Sequence, residues 1–432
     1  MKLFKPVVIA VLLFFNAEVI AQQIINLSLD SAINHAIKYN LIVKNAELKI
    51  EESKQFIRES VAIGLPQVNA AVDYSNFLGA EIQISFTEDA PPTTIPFDPT
   101  SNLELTVGQL IFSGNYLVGL QIAKLYKSSI VTEYEKSRQD IIEEVTKSYY
   151  MILVAEKTRE IIQSTLENLD ETYIQTEGLV SVGMLEQTDA DQLSVQVIML
   201  ENALKSADRQ VELAYNMLRF YLGLSANTPF TLTQGLDEIL EDLHFETTMV
   251  FPFNLGNNLD YQLMLTREEM IQKQVTLEKM NYLPTITGFY RHTEKLIVPA
   301  FDMSPSDIIG VKASIPIFSS GMRKAKVGQA KIRYETIMNN KELLEEQLFL
   351  QEKQLRFNLG TAMEQFESQK KNVEVSKRVF GSLSLKYNQG LISSLDLTTA
   401  NNNYLSAETN YITALMRLLE AEIALQKLFN TL

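Results

Sequence analysis

Two stretches of the chain, 116–176 and 322–387, run for more than sixty residues each without a proline. Apolar and small residues recur in them at helical spacing, as at Ala325, Gly328, Ile332 and Ile337 or Met338. Roughly 60–65 helical residues at 1.5 Å rise make a rod of about 90–100 Å. A helix past about 25 residues implies a coiled coil, a membrane span or repeat packing. Glu, Gln, Asn and Lys fill the polar faces here, so the rods are expected in water.

The rods belong to a pattern that occurs twice. LPQVNAAVDYS (65–75) and LELTVGQLIFSG (103–114) precede the first, and LPTITGFYR (283–291) and IGVKASIPIFSSG (309–321) precede the second. Phe112-Ser-Gly and Phe318-Ser-Ser-Gly lie 206 or 207 apart, while pairing Gly178 with Gly390, Leu185 with Leu397 and Leu193 with Leu405 gives an offset of 212. The expected organisation is a first unit over 22–222: a helix capped by Ser28 and running to about Val61, a hairpin over 65–112, a long helix over 113–177 and a return helix over 186–220. A second unit over 259–432 repeats it, with a helix over 259–281, a hairpin over 283–318, a long helix over 321–388 and a return helix over 396–429. Residues 223–258, richer in Pro, Gly and acidic side chains, form a connector wrapped outside the rods. Gly178, Gly183 and Gly390 are expected in the turns, where positive φ favours glycine.

The hairpin strands alternate. Leu103, Leu105 and Val107 oppose Glu104, Thr106 and Gly108; Ile309, Val311, Ala313, Ile315 and Ile317 oppose Gly310, Lys312 and Ser314. Such a period suits a half-buried soluble sheet or a membrane β-barrel. Long polar loops and export favour the barrel. Four strands cannot close one, and open edges in lipid leave backbone groups unsatisfied, so closure requires further copies: eight strands from two, twelve from three. Phe112, Phe289, Tyr290 and Phe318 are candidate interface aromatics, with core packing at the barrel base an equal reading for Phe112 and Phe318.

Export is read from 1–21. Lys2 and Lys5 precede nine apolar residues, Val7–Phe15, and Val19-x-Ala21 offers a cleavage site, the pattern of a signal peptide. Nine residues are too few for a membrane anchor, which needs about 20. The chain has no cysteine, which excludes disulfides, thiolate metal sites and a lipidated cysteine. Its three histidines, His35, His244 and His292, are far apart, and no hydrolytic constellation appears, so no metal, cofactor or enzymatic activity is expected. A net charge of −15 argues against nucleic acid.

This order of elements resembles the TolC-type outer-membrane efflux family. LSLDSAINHAIKYN (27–40), the Leu-Pro strand starts at 65–66 and 283–284, the two IFSG-type helix starts, and GLISSLDLTTANNNYLSAETNY (390–411) carry the resemblance. It implies a mainly α fold with a small β part. A homotrimer would join four strands per chain into a twelve-stranded barrel in the outer membrane of a Gram-negative-type cell. A periplasmic tunnel of twelve helices would continue it, belted by an equatorial domain that fits 223–258. It also implies a passive exit duct for efflux or type I secretion, working with a periplasmic adaptor and an inner-membrane pump of RND, ABC or MFS type.

At the periplasmic tip the family's first ring aspartate falls on Asp396, and its second falls on Thr399. The family's gate tyrosine falls on Tyr387, and its partner arginine on Ile392, so that lock is incomplete. Asp396 equally suits a helix cap. Asp189 and Asp191 are weaker lining candidates, and the turns with Gly178, Leu179, Gly183, Gly390 and Leu391 are candidate adaptor contacts, although Leu179, Leu391, Leu185 and Leu397 equally suit the core of the helix tips. A competing class, a periplasmic or surface coiled-coil scaffold, explains the helices and the export but not two hairpins at matching places. A freely soluble monomer would favour it.

Overall fold

A computed structural model describes residues 25–85, 93–242, 245–299, 302 and 304–432. The expected signal segment, 1–21, and His244 lie outside them. The first half runs β1 (Ile25–Leu27), α1 (Leu29–Tyr39), α2 (Leu41–Ala62), β2 (Gln67–Ser75), β3 (Glu81–Ile84), β4 (Thr93–Pro96), β5 (Thr100–Phe112), α3 (Gly114–Ser181) and α4 (Gln187–Leu222). Then come β6 (Phe230–Leu232), α5 (Leu236–Asp242), α6 (Phe245–Val250), a 3-10 turn at Leu255–Asn257, α7 (Leu259–Met280), β7 (Thr285–Ile297), β8 (Asp307–Ser314), α8 (Met322–Asn388) and α9 (Ser394–Phe429).

The structure alters several expected elements. The first helix is broken: Asn40 adopts φ −62, ψ 133, and its side chain accepts from Ile42 N at 2.7 Å, so it starts α2 as an N-cap. The polar loop after β2 contains the small antiparallel pair β3–β4, and β7 continues through His292 to Ile297. β8 ends at Ser314 rather than Phe318, because its partner β7 begins only at Thr285, and Pro316 has no N–H to donate. α3 continues through Gly178 to Ser181.

α4 and α9 each span 36 residues and start 207 positions apart, at Gln187 and Ser394. Six of the seven buried α4 positions, Ala190, Leu193, Leu200, Ala207, Leu218 and Leu222, match buried Leu397, Ala400, Ala407, Ala414, Leu425 and Phe429 at that spacing. The offset of 212 does not relate these helices. Pairing Gly178 with Gly390 compares a glycine inside a helix with one just past a helix end.

The chain divides into two compact units. The first contains the described residues of 1–36, 144–244 and 372–412; the second those of 37–143, 245–371 and 413–432. In the first unit β1 pairs in parallel with β6, Tyr149 OH donates to Leu27 O at 3.1 Å, and Gln234 Oε1 accepts from Leu29 N at 2.9 Å. Leu169, Leu193 and Leu200 form a buried cluster, with Tyr173, Tyr387 and Leu405 packed against it.

In the second unit an antiparallel sheet has the order β2-β5-β7-β8. Its register sorts the side chains into two faces. Val68, Ala70, Val72, Leu103, Leu105, Val107, Tyr290, Ile309 and Val311 share one, which also carries His292, Glu294 and Asp307 where β7 meets the start of β8. Asn69, Asp73, Glu104, Thr106, Arg291 and Lys312 share the other, where Arg291 and Glu104 pair at 3.2 Å. The apolar face is bare: Ile309 is 85% exposed and Val311 69%. Phe289 lies on the polar face and covers Gly310, where an added Cβ would stand 2.8 Å from its ring. It therefore cannot join Tyr290 in an interface belt on the apolar face. Elsewhere in this unit Asn258 caps α7 and donates to Leu428 O at 3.1 Å, and Lys427 bridges Asp140 and Glu143, each at 2.5 Å. Arg356 lies over the Phe429 ring and holds the carbonyls of Met249, in the last turn of α6, and Phe251, just past it.

Candidate functional site

The turns α3–α4 and α8–α9 both lie in the first unit, and they end their helices in the same way. Gly183 N donates to Val180 O and Met184 N to Leu179 O, both at 2.9 Å; Gly390 N donates to Tyr387 O at 2.8 Å and Leu391 N to Lys386 O at 3.0 Å. These are paired Schellman closures, with the glycines at φ +74 and +72. Gly178 does not have this role, since its φ is helical. Leu179 and Leu391 are exposed at the two turns.

α9 begins with a reciprocal cap. Ser393 Oγ accepts from Asp396 N at 3.2 Å, and the Asp396 carboxylate accepts from Ser393 N at 3.2 Å and from Ser393 Oγ at 2.8 Å. This is a capping box with Asp in the place usually held by Glu. Asp396 thus caps its helix while its carboxylate stays exposed. Ile392, Asp396 and Thr399 line one open groove of about 700 Å³ with Val375, Val379, Leu383 and Asn403. Thr399 Oγ1 is turned back to Leu395 O at 2.8 Å.

Tyr387 stands apart from that groove. Its hydroxyl lies 2.8 Å from Thr176 Oγ1. Thr176 gives its one proton to Thr172 O at 2.8 Å, so Tyr387 is the donor between them. Burial pushes the Tyr387 phenol above its ordinary pKa, so it stays a neutral donor at neutral pH. Thr176, not an arginine, is the partner that sequence reasoning missed.

The second unforeseen link joins the starts of α4 and α9. Buried Ser394 donates from Oγ to Asp189 Oδ1 at 2.6 Å, with Gln192 Oε1 at 3.0 Å. Asp191 accepts instead from Gln187 of its own helix at 3.0 Å. Asp189 sits 207 positions before Asp396, each third in its helix. Farther along this face of α9, buried Thr398 Oγ1 and both amide atoms of Asn401 have no hydrogen-bond partner among the described residues.

The sequence profile of the outer membrane efflux protein family matches residues 32–224 and 254–431, and the chain belongs to that family. Its fold is similar to VceC, an outer membrane protein of Vibrio cholerae, at 17% identity and TM-score 0.72, covering 93% of this chain and 95% of that one. The MtrE outer membrane channel of Neisseria gonorrhoeae, solved in its open state, matches at 18% identity and TM-score 0.73, covering 93% and 88%. The CmeC outer membrane channel of Campylobacter jejuni matches at 16% and 0.71, covering 93% and 85%. No curated protein sequence matches the chain. The family is one of outer-membrane efflux channels, in keeping with a mainly helical chain that has a small strand part.

Proposed function

We propose that the protein is the outer-membrane exit duct of a tripartite efflux or type I secretion system. It passes substrate by opening and diffusion and carries out no chemistry itself. The observation that carries this reading is the four-stranded sheet, apolar and bare on one face and polar on the other. That is the pattern of a barrel wall between lipid and water. Three copies closing a twelve-stranded barrel remove both open edges, and equal α4 and α9 lengths at a constant spacing support an internal duplication with an offset of 207.

The turns at Gly183 and Gly390 form the periplasmic end, where Leu179 and Leu391 offer exposed contacts to an adaptor. Residues 223–258 belong to an equatorial belt. The tip is the gate. Three Asp396 carboxylates around a three-fold axis make an acidic constriction that favours cations. The Ser394–Asp189 and Tyr387–Thr176 bonds hold the resting arrangement. The orphaned Thr398 and Asn401 weaken that seam, because each buried polar group without a partner costs about 1–3 kcal/mol.

The test is single-channel conductance of detergent-purified protein in a planar bilayer at several salt concentrations. Uniform, cation-preferring steps from a trimer support the duct. Mature protein recovered as a soluble monomer that never inserts overturns it in favour of a scaffold.

A further inference from the structure

The pair β3–β4 projects from the sheet between the last partners of β2 and β5, Ser75 and Thr100. Its register puts Ile82 opposite Ile95 and Ile84 opposite Thr93, while Glu81, Gln83 and Thr94 point the other way. Phe97 N donates to Ala80 O at 2.9 Å, so Ala80 and Phe97 join the isoleucine face. Phe77 adds a ring 5.4 Å from Phe97. The result is a small amphipathic hairpin whose apolar face is nearly half exposed at Phe77, Ile82 and Phe97 and less so at Ile84 and Ile95.

Its approach is a hydrogen-bonded turn. Tyr74 OH accepts from Asn76 Nδ2 at 3.3 Å, Asn76 Oδ1 accepts from Leu78 N at 2.9 Å, and Ala80 N donates to Phe77 O at 3.0 Å. Leu78 and Gly79 fill the turn at φ +54 and +76. A leucine in that region is uncommon, and this one is 91% exposed. The turn thus holds a large apolar side chain in open space beside Phe77.

We propose that this hairpin is a lipid anchor: Leu78, Phe77, Phe97 and Ile82 insert into the outer leaflet where the barrel leaves the membrane. The inference rests on the membrane reading of the sheet. Continuity argues for lipid as the occupant. Tyr74, the residue that starts the bonded run to Leu78, closes the lipid-facing row of Val68, Ala70 and Val72 on β2. Lipid is the apolar medium that this face already meets, and an exposed apolar patch beside it extends the same contact.

The chain has no tryptophan, so a single introduced one is a unique probe. Leu78→Trp and, as a reference on the apolar face, Ile309→Trp are each reconstituted as full-length protein in phosphatidylcholine vesicles, with and without brominated acyl chains. Both emissions are expected to be blue-shifted and quenched by brominated lipid to within about two-fold of each other, with little quenching by aqueous iodide. If bromolipid quenches the Ile309→Trp protein while only iodide quenches the Leu78→Trp protein, the anchor is overturned and the membrane sheet stands. A Leu78→Trp indole shielded from both quenchers overturns it in favour of hairpins packed on one another between copies. Failure of bromolipid to quench either probe overturns the membrane reading itself.

Discussion

Ser394→Ala isolates the bond between the starts of α4 and α9. Ser394 is buried, so removing its hydroxyl leaves no orphan on α9, and alanine fills nearly the same space. What is lost is a 2.6 Å bond to the Asp189 carboxylate. Hydrogen bonds to charged groups are worth about 1.5–3 kcal/mol. Asp189 is half-buried, and water replaces part of the interaction, which puts the net loss at about 1–2 kcal/mol. That corresponds to a rise of roughly 5- to 30-fold in the population with this clasp open. Native-state hydrogen exchange of the detergent-purified protein reads it directly, through amides in 187–193 and 394–401. Asp189→Asn, which keeps an acceptor but loses the charge, is expected to give about half the effect. Ser406→Ala, on an exposed position of the same helix, sets the baseline. A change of less than about two-fold, or one equal to that of Ser406→Ala, would show that the clasp does not hold the two helix starts together.

Four other outcomes follow from the same geometry. Gly183→Ala and Gly390→Ala force Cβ into the left-handed region and cost roughly 1–2 kcal/mol each, whereas Gly178→Ala, inside α3 and facing open space, gains about 0.5–1 kcal/mol; chemical denaturation distinguishes them. Ser393→Ala costs about 1 kcal/mol of helix stability and leaves ion selectivity unchanged, while Asp396→Ala lowers cation preference as well; selectivity lost in Ser393→Ala would refute the carboxylate's role. Val311→Arg places a charge at the middle of the bare face at a cost of about 2–4 kcal/mol and blocks bilayer insertion, whereas Lys312→Arg on the opposite face inserts normally. Glu422 is buried, accepts from Thr248 at 2.5 Å and Gln426 at 2.8 Å, and has no partner for its other oxygen among the described residues. Burial raises its pKa, so the native state holds this proton more tightly than the unfolded chain does. Stability attributable to it is therefore full below the unfolded value and falls as pH rises through the raised folded value. Glu422→Gln should flatten that slope and stabilise the protein above it; an unchanged slope in pH-dependent unfolding refutes this.

Much of the fold is legible in residue order because its signals are long. Proline-free rods and period-two strands each extend over many residues, so single substitutions do not blur them, and the short Phe-Ser-Gly helix start is legible because it occurs twice. What is hidden depends on one backbone torsion or one hydroxyl. Asn40 reads as a tolerable helical residue, yet its side chain bonds Ile42 N and restarts the helix. Phe289 reads as an interface aromatic until the pairing with Gly310 puts it on the polar face. At the tip, Asp396 as a cap partner is visible in the Ser-Ser-Leu-Asp run, whereas Ser394–Asp189 joins residues 205 apart. The 212 offset conceals the equivalence of the two aspartates, because Gly178 matches Gly390 in identity but not in conformation. The Tyr387–Thr176 bond has no sequence signal, since threonines are common along α3 and only packing selects one.

The open edges of the sheet bear on how such a chain reaches its membrane. β2 and β8 each have a partner on one side only, so a single copy carries two rows of unmet backbone groups next to a bare apolar face. Lipid cannot accept those groups until they are paired, and water cannot accept the face. A lone subunit is therefore ill suited to both compartments that it crosses. On the proposed duct, insertion and association become one kinetic event, with a rate that climbs steeply with subunit concentration. In the interval before it, the same edges are templates for aggregation, so a slow approach to the membrane carries its own hazard.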